Sequence, residues 1–296
     1  MPEGDTVFRT CARLHEALAG RVLRTAELRW PGLSTATLAG SEVTEVVPRG
    51  KHILIRLDSG WTLHSHLKME GQWRIERTPP DGHHHDHRRG ATAHPADARA
   101  VLVTDAWTAV GLRLGRLDLV RTTDEHTLVG HLGPDILDPA FDEAVAVANL
   151  AASGTAIGAA LLDQRNLAGI GTLWASESLF LERTNPWASD LPPGQLSRVV
   201  ARARRLMTAA LPHAVQASTG VRRDGENTYV HARSGRPCRR CGTTVRVAPI
   251  GPPTRERTMF YCPACQGGLA PTDDGAPVAP LGASPGSRGR RPRERR

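Results

Sequence analysis

Cys238-Arg239-Arg240-Cys241 and, 20 residues further on, Cys262-Pro263-Ala264-Cys265 decide how the C-terminal part of this 296-residue chain folds. Each Cys-x-x-Cys knuckle sets two thiolates on one side of a tight turn, and two knuckles joined by a hairpin complete a tetrahedral zinc site. Four cysteine ligands leave no open coordination position, so one structural Zn2+ is expected on Cys238, Cys241, Cys262 and Cys265. A thioredoxin-like use of the motif lacks its sequence context, and five cysteines are too few for a disulfide scaffold in a chain of this length. The fifth, Cys11, reads as a buried packing residue. Arg246, Arg255 and Arg257 lie between the two pairs, ahead of the apolar Met259-Phe260-Tyr261. Arginines on a pinned hairpin either grip a phosphate at a fixed place or merely solvate the hairpin.

Upstream of the cysteines the pattern is helical. Asp142 to Ala152, Ala156 to Leu162, Leu173 to Leu181 and Gln195 to Leu211 carry apolar residues at helical spacing. Between the second and third of these lies Leu161-Leu162-Asp163-Gln164-Arg165-Asn166-Leu167-Ala168-Gly169-Ile170-Gly171-Thr172-Leu173-Trp174. One helix ends, Gly169 and Gly171 permit close backbone approach, and Thr172 is placed to cap the next helix, so the turn offers amides and a helix N-terminus to an anion. Taken alone, Gly-x-Gly before a helix signifies no more than a helix-helix turn.

From about residue 21 to 131 the chain changes to short apolar or alternating runs: Val22 to Leu28, Glu42 to Val47, His52 to Leu57, Trp61 to His66, Gln72 to Ile75, Ala100 to Thr104 and Trp107 to Leu112. So many short strands point to a β-sandwich or flattened barrel. Arg49-Gly50-Lys51-His52 puts a lysine at a strand entry, within reach of a sugar or phosphate. The histidine-bearing stretch Pro79 to Gly90 reads as a solvated connection and is assigned no role.

The chain opens Met1-Pro2-Glu3-Gly4-Asp5-Thr6. With the methionine removed, Pro2 becomes a secondary amine; α-amino groups titrate near ~7.7 to 8.0, so part of it is uncharged at neutral pH and able to attack a carbonyl carbon. A sugar aldehyde would give an iminium ion, an electron sink for elimination, with Glu3 alongside to move protons. A second-position proline is by itself ordinary. Residues 3 to 19 follow as an amphipathic helix, with Val7, Cys11, Leu14 and Leu18 on one side and Gly20 at its end.

A formal charge of +8 and a pI near 10.0 favour a polyanionic partner, nucleic acid before membrane. No signal-peptide core or membrane span is read, which places the chain in the cytoplasm. From Gly267 a Pro/Gly/Ala/Ser-rich stretch leads to an arginine-rich end and is expected to be disordered.

Together these pieces resemble the formamidopyrimidine-DNA glycosylase and endonuclease VIII family, in motifs that run from Pro2 to Gln266. The resemblance is carried by Pro2 to Thr6, Arg49 to His52, His64-Ser65-His66-Leu67-Lys68-Met69, His131-Leu132-Gly133-Pro134-Asp135, Leu162 to Gly171, Ala175 to Phe180 and the four cysteines. It implies a multidomain α and β architecture: an N-terminal β-sandwich with an N-terminal helix (1–131), a helical domain with a helix-two-turns-helix element (132–230), a zinc-bound β-hairpin (231–266) and a disordered basic tail (267–296). It also implies a bifunctional enzyme that acts on damaged DNA as a monomer, through a Schiff base on Pro2 with Glu3 as acid/base. Lys51 would bind phosphate and assist β-elimination, and Arg257 would bind the lesion's phosphate and assist δ-elimination. Met69 would be the wedge into the vacated space, and Gly169, Gly171 and Thr172 would contact DNA. The family usually has asparagine where Thr172 stands, Lys68-Met69-Glu70-Gly71 departs from the purine branch, and Ala109 to Leu119 holds no phenylalanine. These departures lean toward the endonuclease VIII branch and oxidised pyrimidines. The alternatives are an abasic-site lyase with little glycosylase activity and a non-catalytic damage-binding protein.

Overall fold

The structure, a computed structural model, describes residues 2–78 and 95–280. The stretch Pro79 to Gly90 and the arginine-rich end lie outside the described residues. Helix α1 (Gly4–Leu18) buries Val7, Cys11, Leu14 and Leu18, the side expected from their spacing, and the chain turns out of it at Gly20, where φ is 70°. It packs on two antiparallel sheets built from β1 (Arg21–Val22), β2 (Thr25–Leu28), β3 (Glu42–Arg49), β4 (His52–Leu57), β5 (Trp61–His66), β6 (Gln72–Arg77), β7 (Ala98–Val103), β8 (Trp107–Leu112) and β9 (Arg116–Arg121). One sheet runs β1-β3-β4-β5-β9 and the other β2-β7-β8-β6. Ile53, Ile55, Leu63, Leu102 and Leu117 meet Leu14 and Leu18 of the helix in one core.

Two details depart from the pattern of apolar runs. The run Val22 to Leu28 is two strands in different sheets, because the chain changes partners between them. The Leu23 amide donates to the Ser41 carbonyl just ahead of β3 in one sheet and the Arg24 amide to Val103 of the other, 2.9 and 2.7 Å away. Strand β9 was not among the expected strands, since Arg116, Asp118 and Arg121 mask the alternation of Leu117 and Leu119. It pairs along the whole of β5.

The second half contains α2 (His126–Val129), α3 (Glu143–Ala152), α4 (Ile157–Leu162), α5 (Thr172–Leu181) and α6 (Pro193–Ala210). Asp142 caps α3 by accepting from the Val145 amide at 3.1 Å. Helix α5 is buried from Thr172 through Phe180, enclosed by α4, α6 and the strand Arg257–Tyr261. Strands β10 (Arg246–Ile250) and β11 (Arg257–Tyr261) form the hairpin between the cysteine pairs. Ile250 and Met259 of this hairpin complete the core made by Leu161, Trp174, Leu179 and Val199.

The expectation of disorder from Gly267 onward fails for the first part of that stretch. Ala270 is buried, and Asp273 accepts from Arg246 Nε and the Tyr261 hydroxyl, each at 2.5 Å, while Arg246 also bonds the Ala276 carbonyl. Arg246 and Asp273 are 9% and 8% exposed. A guanidinium so enclosed requires a counter-charge, and a Pro/Gly-rich composition does not reveal that one carboxylate in it has this task.

Candidate active site

The site forms where the head of α1 meets the turn before α5. Pro2 is partly exposed there, whereas Glu3, Gly4 and Asp5 are buried. Three successive residues bond the same short segment of the helical half. Glu3 Oε2 accepts from the Gly171 amide at 2.7 Å and Oε1 from the Leu173 amide at 2.7 Å, with the Trp174 amide at 3.4 Å from Oε2. The Gly4 amide donates to the Gly169 carbonyl at 2.8 Å. Asp5 accepts from Trp174 Nε1 at 2.9 Å.

Glu3 is therefore the cap of α5, supplied from the other end of the sequence. This corrects the expectation that Thr172 caps the helix. Gly171, which has no side chain to cap with, occupies the cap position, and Thr172 is the first helical residue and only 2% exposed. A carboxylate offers the bare amides of a helix N-terminus a full negative charge. Gly171 leaves room for it: a Cβ there would stand 2.5 Å from Glu3 Cδ. Gly169, at φ 100°, lies so close to α1 that a Cβ on Gly4 would come within 2.9 Å of its Cα. The amides expected to face an anion are thus already engaged, Gly171 by Glu3 and Gly169 by Gln164 Oε1 at 3.0 Å.

Lys51 arrives from the β3–β4 turn and donates from Nζ to the Ile170 carbonyl at 2.5 Å. The turn is held by residues of the His131–Asp135 motif, for which the sequence suggested no such contact. Asp135 accepts from the Gly50 amide at 2.5 Å, and Arg49 Nη2 donates to the Gly133 carbonyl at 3.1 Å. Burial raises the Glu3 carboxyl above its usual range, opposed by the Lys51 charge and the α5 amides. Burial also pushes Lys51 down to about 8, with the Glu3 charge opposing and the Arg257 charge adding to the fall. Two proton-exchanging groups are thereby brought toward neutrality from opposite sides. NMR titration of the Lys51 ε-methylene should give a midpoint near 8, and Glu3→Gln should lower it, since Glu3 is the charge that holds it up. A rise in that variant would contradict the coupling.

Arg257 opens β11 and lines a cleft of about 640 Å³ with His131, Gln164, Arg165 and Arg255. Met69 is 65% exposed, on the turn after β5 where Lys68 takes a φ of 54°. The Sγ atoms of Cys238, Cys241, Cys262 and Cys265 all lie within 4.8 Å of one another. A tetrahedral zinc with bonds of about 2.3 Å needs sulfurs ~3.8 Å apart, so the donor set fits. The Arg240 amide donates to Cys238 Sγ at 3.4 Å, as a thiolate ligand favours.

Sequence reasoning passed over two carboxylates. Asp5 is fully buried and accepts from Gln216 Nε2 at 2.8 Å as well as from Trp174. Glu177 accepts from the amides of Tyr229, Val230 and His231, each at 2.8 Å, and from the Ser218 hydroxyl, fastening the chain that leads to the cysteines. A glutamate inside a helix whose other residues are apolar or small hydroxyl side chains was the available signal, because a carboxylate at 0% exposure must be fully bonded.

A β-sandwich whose first helix is stitched to a helical turn beside a four-cysteine hairpin matches a known architecture. The family model described as the formamidopyrimidine-DNA glycosylase N-terminal domain matches residues 1–109, and that of the H2TH domain of the same glycosylase matches 132–221. The chain belongs to this family, in its endonuclease VIII-like branch. It is 46% identical to a probable endonuclease 8 2 of Streptomyces coelicolor, over 93% of this chain and 97% of that protein. It is 40% identical to the DNA-(apurinic or apyrimidinic site) lyase Nei2 of Mycolicibacterium smegmatis, over 90% and 99%. The crystal structure of the MutM (Fpg) protein from Thermus thermophilus superposes with a TM-score of 0.72 at 30% identity, covering 91% of this chain and 100% of that one.

Proposed function

We propose that this protein is a bifunctional DNA glycosylase and abasic-site lyase of base excision repair, acting on oxidised bases, pyrimidines foremost. The observation that carries the reading is the joining of Pro2-Glu3 to the Gly169–Trp174 turn beside Lys51. In this reading the free Pro2 amine attacks C1′ of an extruded nucleotide and the base departs with a proton. Ring opening then leaves an iminium ion between Pro2 nitrogen and C1′. Glu3, with its raised carboxyl, supplies the proton that opens the sugar. Loss of a C2′ proton expels the 3′ phosphate and a second elimination expels the 5′ phosphate, with Lys51 and Arg257 holding those phosphates. Met69 is the wedge into the duplex, and the turn at Gly169, Gly171 and Thr172, buried with its glycine amides engaged, serves DNA binding by holding Pro2 and Glu3 against the damaged strand. One Zn2+ on the four cysteines would pin the hairpin that carries Arg257. The protein would act as a monomer in the cytoplasm. Among the described residues no helix is long and apolar enough to cross a membrane.

The name of the Mycolicibacterium relative supports a second reading, an abasic-site lyase with little glycosylase activity. Duplexes carrying an oxidised pyrimidine, 8-oxoguanine, formamidopyrimidine or an abasic site separate the two. The first reading expects incision and borohydride-trapped adducts on the oxidised pyrimidine, the second on the abasic site alone. Affinity should fall steeply with salt, with a log–log slope of about −0.9 per phosphate neutralised, and a flat response would contradict a phosphate-gripping cleft.

A further inference from the structure

We infer that Asp5 is a positioning residue: its carboxylate, bonded to Trp174 of α5 and to Gln216 after α6, locks the first turn of α1 and so holds Pro2 and Glu3 in place. The inference rests on the chemistry proposed for Pro2 and Glu3. Asp5 is 0% exposed and accepts from Trp174 Nε1 at 2.9 Å and from Gln216 Nε2 at 2.8 and 3.1 Å. These donors are neutral. Enclosing a carboxylate among neutral donors is a poor way to stabilise a fold, which an apolar side chain of that size serves as well.

The need for it follows from what Glu3 does. Glu3 fastens the head of α1 to α5 through its carboxylate, yet the same carboxylate must change protonation as the sugar opens. A group that gains and loses charge is an inconstant anchor. Asp5, two residues on, makes an attachment to the same helix that does not involve the reacting proton. Its Gln216 partner extends the hold to a third segment, because the Gln216 carbonyl accepts from Asn227 Nδ2 at 2.9 Å. Pro2 is thus placed by contacts in α5 and in the 216–227 loop as well as by the sheets on which α1 packs.

Asp5 has a second, electrostatic effect on its neighbour. The groups facing Glu3 are Asp5 from α1, Lys51 from the β3–β4 turn and the Gly171 and Leu173 amides of α5, with the Pro2 amine adjacent and the Arg257 charge bearing on Lys51. Of the charges that act on Glu3, Asp5 raises its carboxyl and Lys51 lowers it. Removing the Asp5 charge while keeping its oxygen acceptor should move Glu3 to lower pH.

The test is single-turnover Schiff-base formation on an abasic duplex across pH, with binding measured separately on a duplex bearing an unreactive tetrahydrofuran site. Asp5→Ala should slow adduct formation by about 10- to 100-fold while affinity stays within about twofold, the cost of a misplaced nucleophile. Asp5→Asn keeps an acceptor for Trp174 and should restore most of the plateau rate, with the Glu3-dependent limb of the profile displaced to lower pH. Should Asp5→Ala fold poorly, as seen by circular dichroism, the displaced limb of Asp5→Asn decides. Unchanged rates in Asp5→Ala, rate and affinity falling in parallel, or an Asn variant no better than Ala with an unmoved profile would each overturn the inference. If the wild-type protein forms no adduct, the catalytic reading itself fails; if it does and the variants match it, only the role of Asp5 fails.

Discussion

Protein that keeps any residue ahead of Pro2 is expected to form no borohydride-trapped adduct with abasic DNA, and to lose incision by on the order of 10³-fold or more. The reason lies in one nitrogen. While Met1 or a tag remains, that nitrogen belongs to a planar amide whose lone pair is delocalised into the carbonyl, and it cannot attack carbon. Once it is freed, the same atom is a secondary amine that titrates near ~7.7 to 8.0. Binding should survive the extension, because Pro2 is partly exposed and the stitches to α5 begin at Glu3. Intact mass spectrometry of trapped and untrapped protein, beside an affinity measurement on a tetrahydrofuran duplex, checks both halves. Pro2→Gly retains a primary amine and should trap at a reduced rate. Equal trapping by tagged, Pro2→Gly and processed protein would move the nucleophile elsewhere, with Lys51 the first candidate.

Stripping the metal, or substituting Cys262→Ser, should abolish incision while the β-sandwich remains folded. Structural zinc contributes about 10–16 kcal/mol in isolated finger peptides, so its loss removes a large restraint on the 238–265 segment. The damage should spread in a definite direction. Ile250 and Met259 fill the helical core, and the Ser176 hydroxyl bonds Met259 Sδ at 3.2 Å, so loosening the hairpin opens a void beside α5. Arg257 loses its placement with it. The sandwich core around Ile53, Leu63 and Leu102 is built from other residues. Hydrogen exchange should therefore show protection lost in the hairpin, weakened along α4 and α5, and kept in β3, β4 and β5. Metal analysis should find one zinc per chain before stripping, and loss of protection throughout the sandwich would contradict the separation of the two cores.

What was legible in the sequence depended on whether the signal was local. Helix α1 follows from four apolar residues at helical spacing, and the thiol cluster from two knuckles and the hairpin between them. Strands β4, β5 and β8 have the expected bounds because each is a short apolar or alternating run between turn residues. The contacts that make the site have no such period. Glu3 and Leu173 are 170 residues apart, and Gly50 and Asp135 are 85 apart. Each is a pairing between a carboxylate and an amide that any other segment could have supplied. The misassigned cap shows the limit well. Thr172 has the right chemistry at the right place along the chain, but a full charge brought in through space displaced a hydroxyl. Asp273 escaped notice for the same reason, since only the folded hairpin reveals that Arg246 needs it.

The cap on α5 has one more consequence. Glu3 answers the partial positive charge of that helix end only while it is ionised. A proton delivered to its carboxyl cancels the counter-charge and relaxes the claim on the Gly171 and Leu173 amides. The turn that guards the acid is electropositive while Glu3 holds its proton, and the counter-charge returns as that proton passes to the sugar, so acid and helix end form a reciprocal pair: when one is neutral, the other is uncompensated.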